Sequence, residues 1–135
     1  MRPPEEVKRR IVQQWLRKAE IDLDAAENLL SEDRLSFYPS CFHSQQSVEK
    51  FLKAFLAWHQ VQFPKTHNLG ELLDLMSTID TALAEDLKDA TRLNPYGVEV
   101  RYPSDIPEPT YDQAKEALHL ATSIRDAIQK ALSVR

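Results

Sequence analysis

Glycine and cysteine are scarce in this sequence, which contains only 2 glycines and 1 cysteine among its 135 residues. Gly70 and Gly97 lie too far apart to form one glycine-rich loop, so neither a P-loop nor a dinucleotide-binding fingerprint is present. Cys41 has no second cysteine with which to form an internal disulfide bond or a zinc site of paired cysteines. The scarcity of glycine also argues against a fold built from many tight turns.

Metal-binding and membrane-spanning patterns are absent as well. The 4 histidines, at positions 43, 59, 67 and 119, are too widely spaced to form a helical metal-binding motif with one another. No apolar run is long enough to cross a bilayer, and the first residues lack the apolar segment of a secretory signal peptide. We therefore expect a cytoplasmic protein that uses no metal ion or other cofactor and does not contact a membrane.

The composition is that of one globular domain, with 42% hydrophobic and 28% charged residues. The net charge of −4 argues against general nucleic-acid binding. The charges are unevenly distributed, because residues 1–18 contain six basic side chains whereas residues 20–33 contain six acidic ones and no basic one. The basic end is compatible with a phosphate contact, but the solvated start of a helix is the favoured interpretation.

Hydrophobic residues recur at steps of three and four through most of the chain, which is the period of amphipathic helices. This period predicts helices over about residues 9–30, 39–61, 69–79, 83–93 and 114–132. Asn68 with Glu71, and Thr110 with Gln113, match the capping boxes that begin helices. Four prolines between residues 94 and 109 predict one long loop before the last helix.

These features predict an all-α fold. The short connections favour an antiparallel four-helix up-and-down bundle, with room for one short extra helix and with the long loop before the last helix. Residues 1–8 are predicted to be an N-terminal extension, and residues 9–133 are predicted to be a single helical domain.

The predicted second helix is apolar on nearly every side, whereas a surface helix of a bundle is apolar on one side. One apolar side can pack in the bundle core, and the other needs a further partner. Phe51, Phe55 and Trp58 lie at steps of four and three and form an aromatic stripe, which indicates a core or an interface rather than a cofactor site. We predict that these three residues contribute to a homodimer interface.

Polar residues of the same helix, among them Gln45, Glu49 and Lys53, are suited to a shallow site for a nucleotide or RNA. Three further polar side chains are expected to face them from the start of the long loop, namely Arg92, Asn94 and Tyr96. The alternative is that these groups form hydrogen bonds that fix packing and subunit register.

Arg101 and Tyr102, in the predicted long loop, combine a guanidinium with an aromatic ring, which suits recognition of a phosphate and a base. The alternative is that Arg101 binds acidic residues of the bundle while Tyr102 packs beneath the loop. His67 precedes the third helix, where its ring is expected either to bond a backbone group or carboxylate or to contact a ligand directly.

Four segments, in their order and spacing, resemble the HEPN domain (higher eukaryotes and prokaryotes nucleotide-binding domain). They are AEIDLDAAENLL at residues 19–30, CFHSQQSVEKFLKA at 41–54, THNL at 66–69 and RYP at 101–103. The resemblance covers about residues 12–133. It implies an antiparallel four-helix bundle that is commonly dimeric and is often accompanied by a minimal nucleotidyltransferase.

Some members of that family are metal-independent ribonuclease toxins, which need an arginine and a histidine with four to six residues between them. No arginine of this sequence has a histidine at that spacing. The sequence therefore predicts a non-catalytic module that homodimerises and partners a minimal nucleotidyltransferase, in a toxin–antitoxin-type or nucleotide-linked system. The alternative is an endoribonuclease with an altered site, in which Arg101 or Arg92 binds phosphate and His67 or Glu108 replaces the missing histidine.

Overall fold

The computed structural model of the chain describes residues 4–31, 37–97 and 107–133. In chain order these ranges contain α1 (Glu5–Leu30), α2 (Phe37–Trp58), α3 (Leu69–Ser77), α4 (Thr81–Asp86), a 3-10 helix (Lys88–Tyr96) and α5 (Tyr111–Ser133). They contain no β-strand, and the all-α prediction is confirmed. In the same ranges no helix combines the length and the apolar character needed to cross a membrane.

Three long helices, α1, α2 and α5, form most of the bundle, and the fourth position is filled by α3, α4 and the 3-10 helix. The helix α2 is central, because it packs against α1, α3, α5 and the 3-10 helix. The four-helix prediction is confirmed, with the fourth helix divided into three short parts.

The spacing of apolar residues in the sequence accounts for the division of the fourth helix. Leu87, Ala90 and Leu93 are buried at steps of three, and a 3-10 helix has three residues per turn, so its buried face follows this spacing. The continuous helix predicted over residues 83–93 is therefore wrong, since α4 ends at Asp86. The long loop was predicted to start at residue 94, but the 3-10 helix continues to Tyr96, so the loop starts later.

The first helix begins earlier than its apolar period indicated. It starts at Glu5, so residues 5–8 of the predicted N-terminal extension belong to α1. Glu5 and Glu6 lie in the first turn, where carboxylates interact favourably with the positive end of the helix dipole.

Both predicted helix starts are capped by side chains. At α5 the capping box is reciprocal, because the Gln113 N–H donates to Thr110 Oγ1 (3.1 Å) and the Thr110 N–H donates to Gln113 Oε1 (2.9 Å). At α3 the Gly70 N–H donates to Asn68 Oδ1 (2.9 Å), but the return contact from Glu71 is indirect. It passes through Thr66, whose hydroxyl accepts from the Asn68 N–H and donates to Glu71 Oε1, both at 3.0 Å.

Two of the three aromatic residues predicted for a dimer interface lie in the core of the single chain. Phe51 and Phe55 are both 0% exposed, and they pack with buried residues of the other helices. The prediction that these two residues form a homodimer interface is therefore wrong. Because α2 is surrounded by four elements of its own chain, both of its apolar sides are already covered. Trp58, at the end of α2, is only half-buried.

We predict that Thr110→Ala lowers the free energy of unfolding by about 1 kcal/mol, because it removes the side-chain acceptor at the start of α5. Thr122→Ala is the matched control, since that hydroxyl only donates to the Leu118 carbonyl inside the same helix. Urea denaturation of both variants measures the difference. Equal losses in the two variants would contradict a capping role for Thr110.

Candidate functional site

The carboxylate of Glu49, on α2, is the centre of a polar cluster that contains several of the predicted site residues. Glu49 is 3% exposed, and its two oxygens accept from different partners. Lys53 Nζ lies 2.9 Å from Glu49 Oε2, and His67 Nδ1 lies 2.9 Å from Glu49 Oε1. A carboxylate removed from water must be compensated in this way by hydrogen bonds or opposite charge.

His67 is held at both its side chain and its main chain. The Gln45 side chain, one turn before Glu49, donates from Nε2 to the His67 carbonyl oxygen at 3.0 Å. The contact with Glu49 favours the tautomer in which Nδ1 of His67 carries the proton, so that Nε2 is free to accept one. The His67 side chain is 70% exposed, so most of the ring faces solvent.

Asn94 joins this cluster from the 3-10 helix, but its side chain caps α3. Asn94 Oδ1 accepts from the Leu69 N–H at 2.9 Å, and its Nδ2 lies 3.4 Å from Asn68 Oδ1. The chain after Asn94 also packs closely over α2, because a Cβ added at Gly97 would lie 3.2 Å from Gln45 Nε2. The structure therefore brings four of the predicted residues together with His67, namely Gln45, Glu49, Lys53 and Asn94.

Arg92 and Tyr96 are directed elsewhere. Arg92 forms an ion pair with Glu116 of α5, and both side chains are more than half exposed. They line an open cleft of about 160 Å³ between the 3-10 helix and α5, to which Tyr96 also contributes. Tyr96 packs edge-on against Tyr38 with ring centroids 6.1 Å apart and forms a hydrogen bond with Cys41.

The remaining predicted site residues fall outside the cluster. Arg101 and Tyr102 lie outside the described residues. Glu108 is exposed just before α5 begins. Among the described residues, no group of three His, Cys, Asp or Glu side chains is arranged to hold a metal ion.

A second buried carboxylate escaped the sequence reasoning. Asp22 of α1 is 8% exposed and is bound by two residues of α2: His43, whose Nδ1 lies 2.9 Å from Asp22 Oδ1, and Lys50, whose Nζ bonds the other oxygen. The sequence held one indication of this pairing. Asp22 falls between Ala19, Leu23 and Ala26 on the buried side of α1, where an acidic residue needs a partner.

Trp58 lies at the end of the bundle formed by α1, α2 and α5. Lys8 Nζ is 4.0 Å from a ring centroid of Trp58, which places this ammonium in cation–π contact. Val12, Leu16 and Leu132 line the shallow groove beside it. A face of Trp58 is thus covered by its own chain.

The comparisons with known proteins agree with this architecture. The model of the family described as "HEPN domain" matches residues 12–131. The chain therefore belongs to the HEPN domain family. Among solved structures, it is similar to TT1696 from Thermus thermophilus, with a TM-score of 0.70 and 28% sequence identity. The match covers 88% of this chain and 96% of that one. No curated protein matches the sequence.

We predict that Glu49→Ala lowers the free energy of unfolding by about 3 kcal/mol, because it leaves the Lys53 ammonium buried without its partner. Glu85→Ala is the control, since the Glu85–Lys88 pair is solvent-exposed and such pairs contribute little. Chemical denaturation of the two variants tests the contrast. The interpretation of Glu49 as a structural centre fails if both variants are equally stable.

We also predict that Cys41 is unreactive in the folded protein. Burial raises the pKa of the Cys41 thiol from 9.0 to about 11, and the hydrogen bond with Tyr96 offsets only part of this rise. At pH 8 the thiolate population is then about 100-fold lower than in the unfolded chain. The same shift favours the folded state while the thiol is protonated, and this contribution is lost as the pH rises from 9 towards 11.

The measurement is the rate of reaction with a disulfide reagent at pH 8, with and without urea. A native rate equal to that of the unfolded chain would disprove the protection.

Proposed function

We propose that this protein is a non-catalytic HEPN module that forms a homodimer and docks a separate minimal nucleotidyltransferase. The system is of the toxin–antitoxin type or is linked to nucleotides, and a nucleotide or RNA is a further candidate ligand. The main observation in favour of a non-catalytic protein is that the charged groups on α2 are paired within the chain. Glu49, Lys53 and Lys50 each bind another side chain of the same chain.

Two features of the chain support the same proposal. No arginine has a histidine at the spacing that the ribonuclease members need. Arg92, which would be available as a phosphate ligand, is engaged with Glu116. A dimer and a nucleotidyltransferase partner follow from the resemblance to the family, in which both are common.

The catalytic part is tested by incubating the purified chain with unstructured RNA in the presence of EDTA. We expect intact RNA after prolonged incubation, and no growth arrest when the chain is expressed. Cleavage by the wild-type chain that disappears in Arg101→Ala, while Ser123→Ala retains it, would overturn the non-catalytic assignment.

The docking part is tested by co-expression with a neighbouring minimal nucleotidyltransferase. A tag on either protein should retain the other, and free separation of the two counts against docking.

The geometry of His67 favours one second candidate, a metal-independent endoribonuclease with an altered site. A buried carboxylate at Nδ1 and a ring that is 70% exposed are what a general base requires, and such a group contributes roughly 10²–10⁴-fold to a rate. This candidate predicts that His67→Asn loses RNA cleavage by that factor while the fold is kept. Absence of cleavage in the wild-type chain rejects it.

A further inference from the structure

The outward face of α1 is unlike the rest of the described surface, because it combines exposed isoleucines with separated charges. Ile11 is 40% exposed and Ile21 is 57% exposed. Among the described residues the only other large hydrophobic residue as accessible as these is Tyr111. Both lie on the side of α1 that faces away from the rest of the bundle, where their apolar side chains are accessible to a partner.

Three parallel columns make up this face, since residues seven apart lie on the same side of a helix. Arg10, Arg17 and Asp24 form one column, and Gln14, Ile21 and Asn28 form the next. Ile11, Lys18 and Ala25 form the third, with Leu29 beside its end. All are exposed except Ala25 and Leu29, which are half-buried. We call these residues the outer face of α1.

Charge is polarised along the outer face. Arg10, Arg17 and Lys18 lie in its N-terminal part, and Asp24 lies beyond Ile21. Arg17 and Asp24 are seven residues apart, so they are not at the three- or four-residue spacing that pairs side chains along one helix. Among the described residues neither one forms an ion pair. These charges therefore remain available for a partner.

We propose that the outer face of α1 pairs antiparallel with the same face of a second copy, with the two-fold axis beside Ile21. This inference rests on the homodimer part of the proposed function and assigns its surface. In a two-fold interface, each contact occurs twice with the roles exchanged. An antiparallel pair about Ile21 places the basic part of one α1 opposite the acidic part of the other.

The register about Ile21 is complementary at each level. Ile21 meets its own copy at the axis. Arg17 opposes Asp24 of the second copy, because each column faces its own copy in an antiparallel pair, and Gln14 opposes Asn28. Ile11 then approaches Leu29 of the second copy, which covers the other exposed isoleucine. No like charges oppose one another in this register.

A single pair of helices gives an interface at the lower end of the stable size range. The dimer is therefore expected to dissociate on dilution, and exposed ion pairs are expected to set its register more than its strength. Phe51 and Phe55 contribute nothing to it, because they are buried inside each chain.

Sedimentation equilibrium over a concentration series tests the proposal with Ile21→Glu. We expect dimerisation at least tenfold weaker than in the wild type, because two carboxylates would meet at the axis. Ser123→Glu, which adds the same charge to an exposed position of α5, is the matched control and is expected to dimerise normally. Both positions are exposed, so we expect both variants to keep the fold, and circular dichroism checks this.

A charge exchange tests the register. Arg17→Glu and Asp24→Arg alone each bring like charges together across the interface and should weaken dimerisation several-fold. The double variant restores opposite charges and should regain wild-type dimerisation. Because Arg17 and Asp24 are too far apart to pair within one helix, recovery in the double variant reports on contact between chains.

The outcomes separate this inference from the proposed function. A wild-type chain that stays monomeric at high micromolar concentration overturns both the homodimer and the self-pairing of α1, and leaves the outer face to a different protein. A wild-type dimer that Ile21→Glu leaves intact overturns only the surface assigned here. Weakening by Ile21→Glu without recovery in the charge-exchanged double variant overturns the register about Ile21.

Discussion

The arrangement of the second half of the chain depends on one buried carboxylate, that of Glu49 on the central helix. Lys53 supplies one compensating charge from the same helix, but the second oxygen is satisfied from a connector far along the chain, through His67. Gln45 fixes the main chain of that connector, so α3 begins at a defined place beside α2. Asn94 then caps α3 from the 3-10 helix. A continuous set of hydrogen bonds thus links α2, the connector, α3 and the 3-10 helix.

A second buried carboxylate joins α1 to α2 in the same way. Asp22 is buried between these helices and is bound by His43 and Lys50. With both carboxylates compensated internally, the interior of the bundle offers little uncompensated charge to a ligand. The charges that remain accessible lie on the outside, most clearly on the outer face of α1. This division supports a protein that acts through its surfaces. The exposed ring of His67 is the feature on which the alternative, an endoribonuclease with an altered site, rests.

Much of the site was predictable from spacing along α2. Gln45, Glu49 and Lys53 lie at four-residue steps, so they share one side of the helix whatever packs against it. Asp22 and His43 were missed because their contact joins two helices, and no periodicity within either helix reports which side of the other it meets. Arg92 was assigned to the wrong neighbours for a related reason, since its direction depends on the 3-10 geometry that follows α4.

The sequence by itself determined the elements that local interactions control. The apolar period specified helices, and the pattern of Thr110 and Gln113 specified where α5 starts, because both depend on residues within a few positions of one another. Only the tertiary structure decided what covers each apolar side. The period of α2 showed that more than one side is buried, but not whether a second chain or the same chain buries it. Phe51 and Phe55 are enclosed by their own bundle because α2 lies at its centre, and contacts between distant segments alone establish that position.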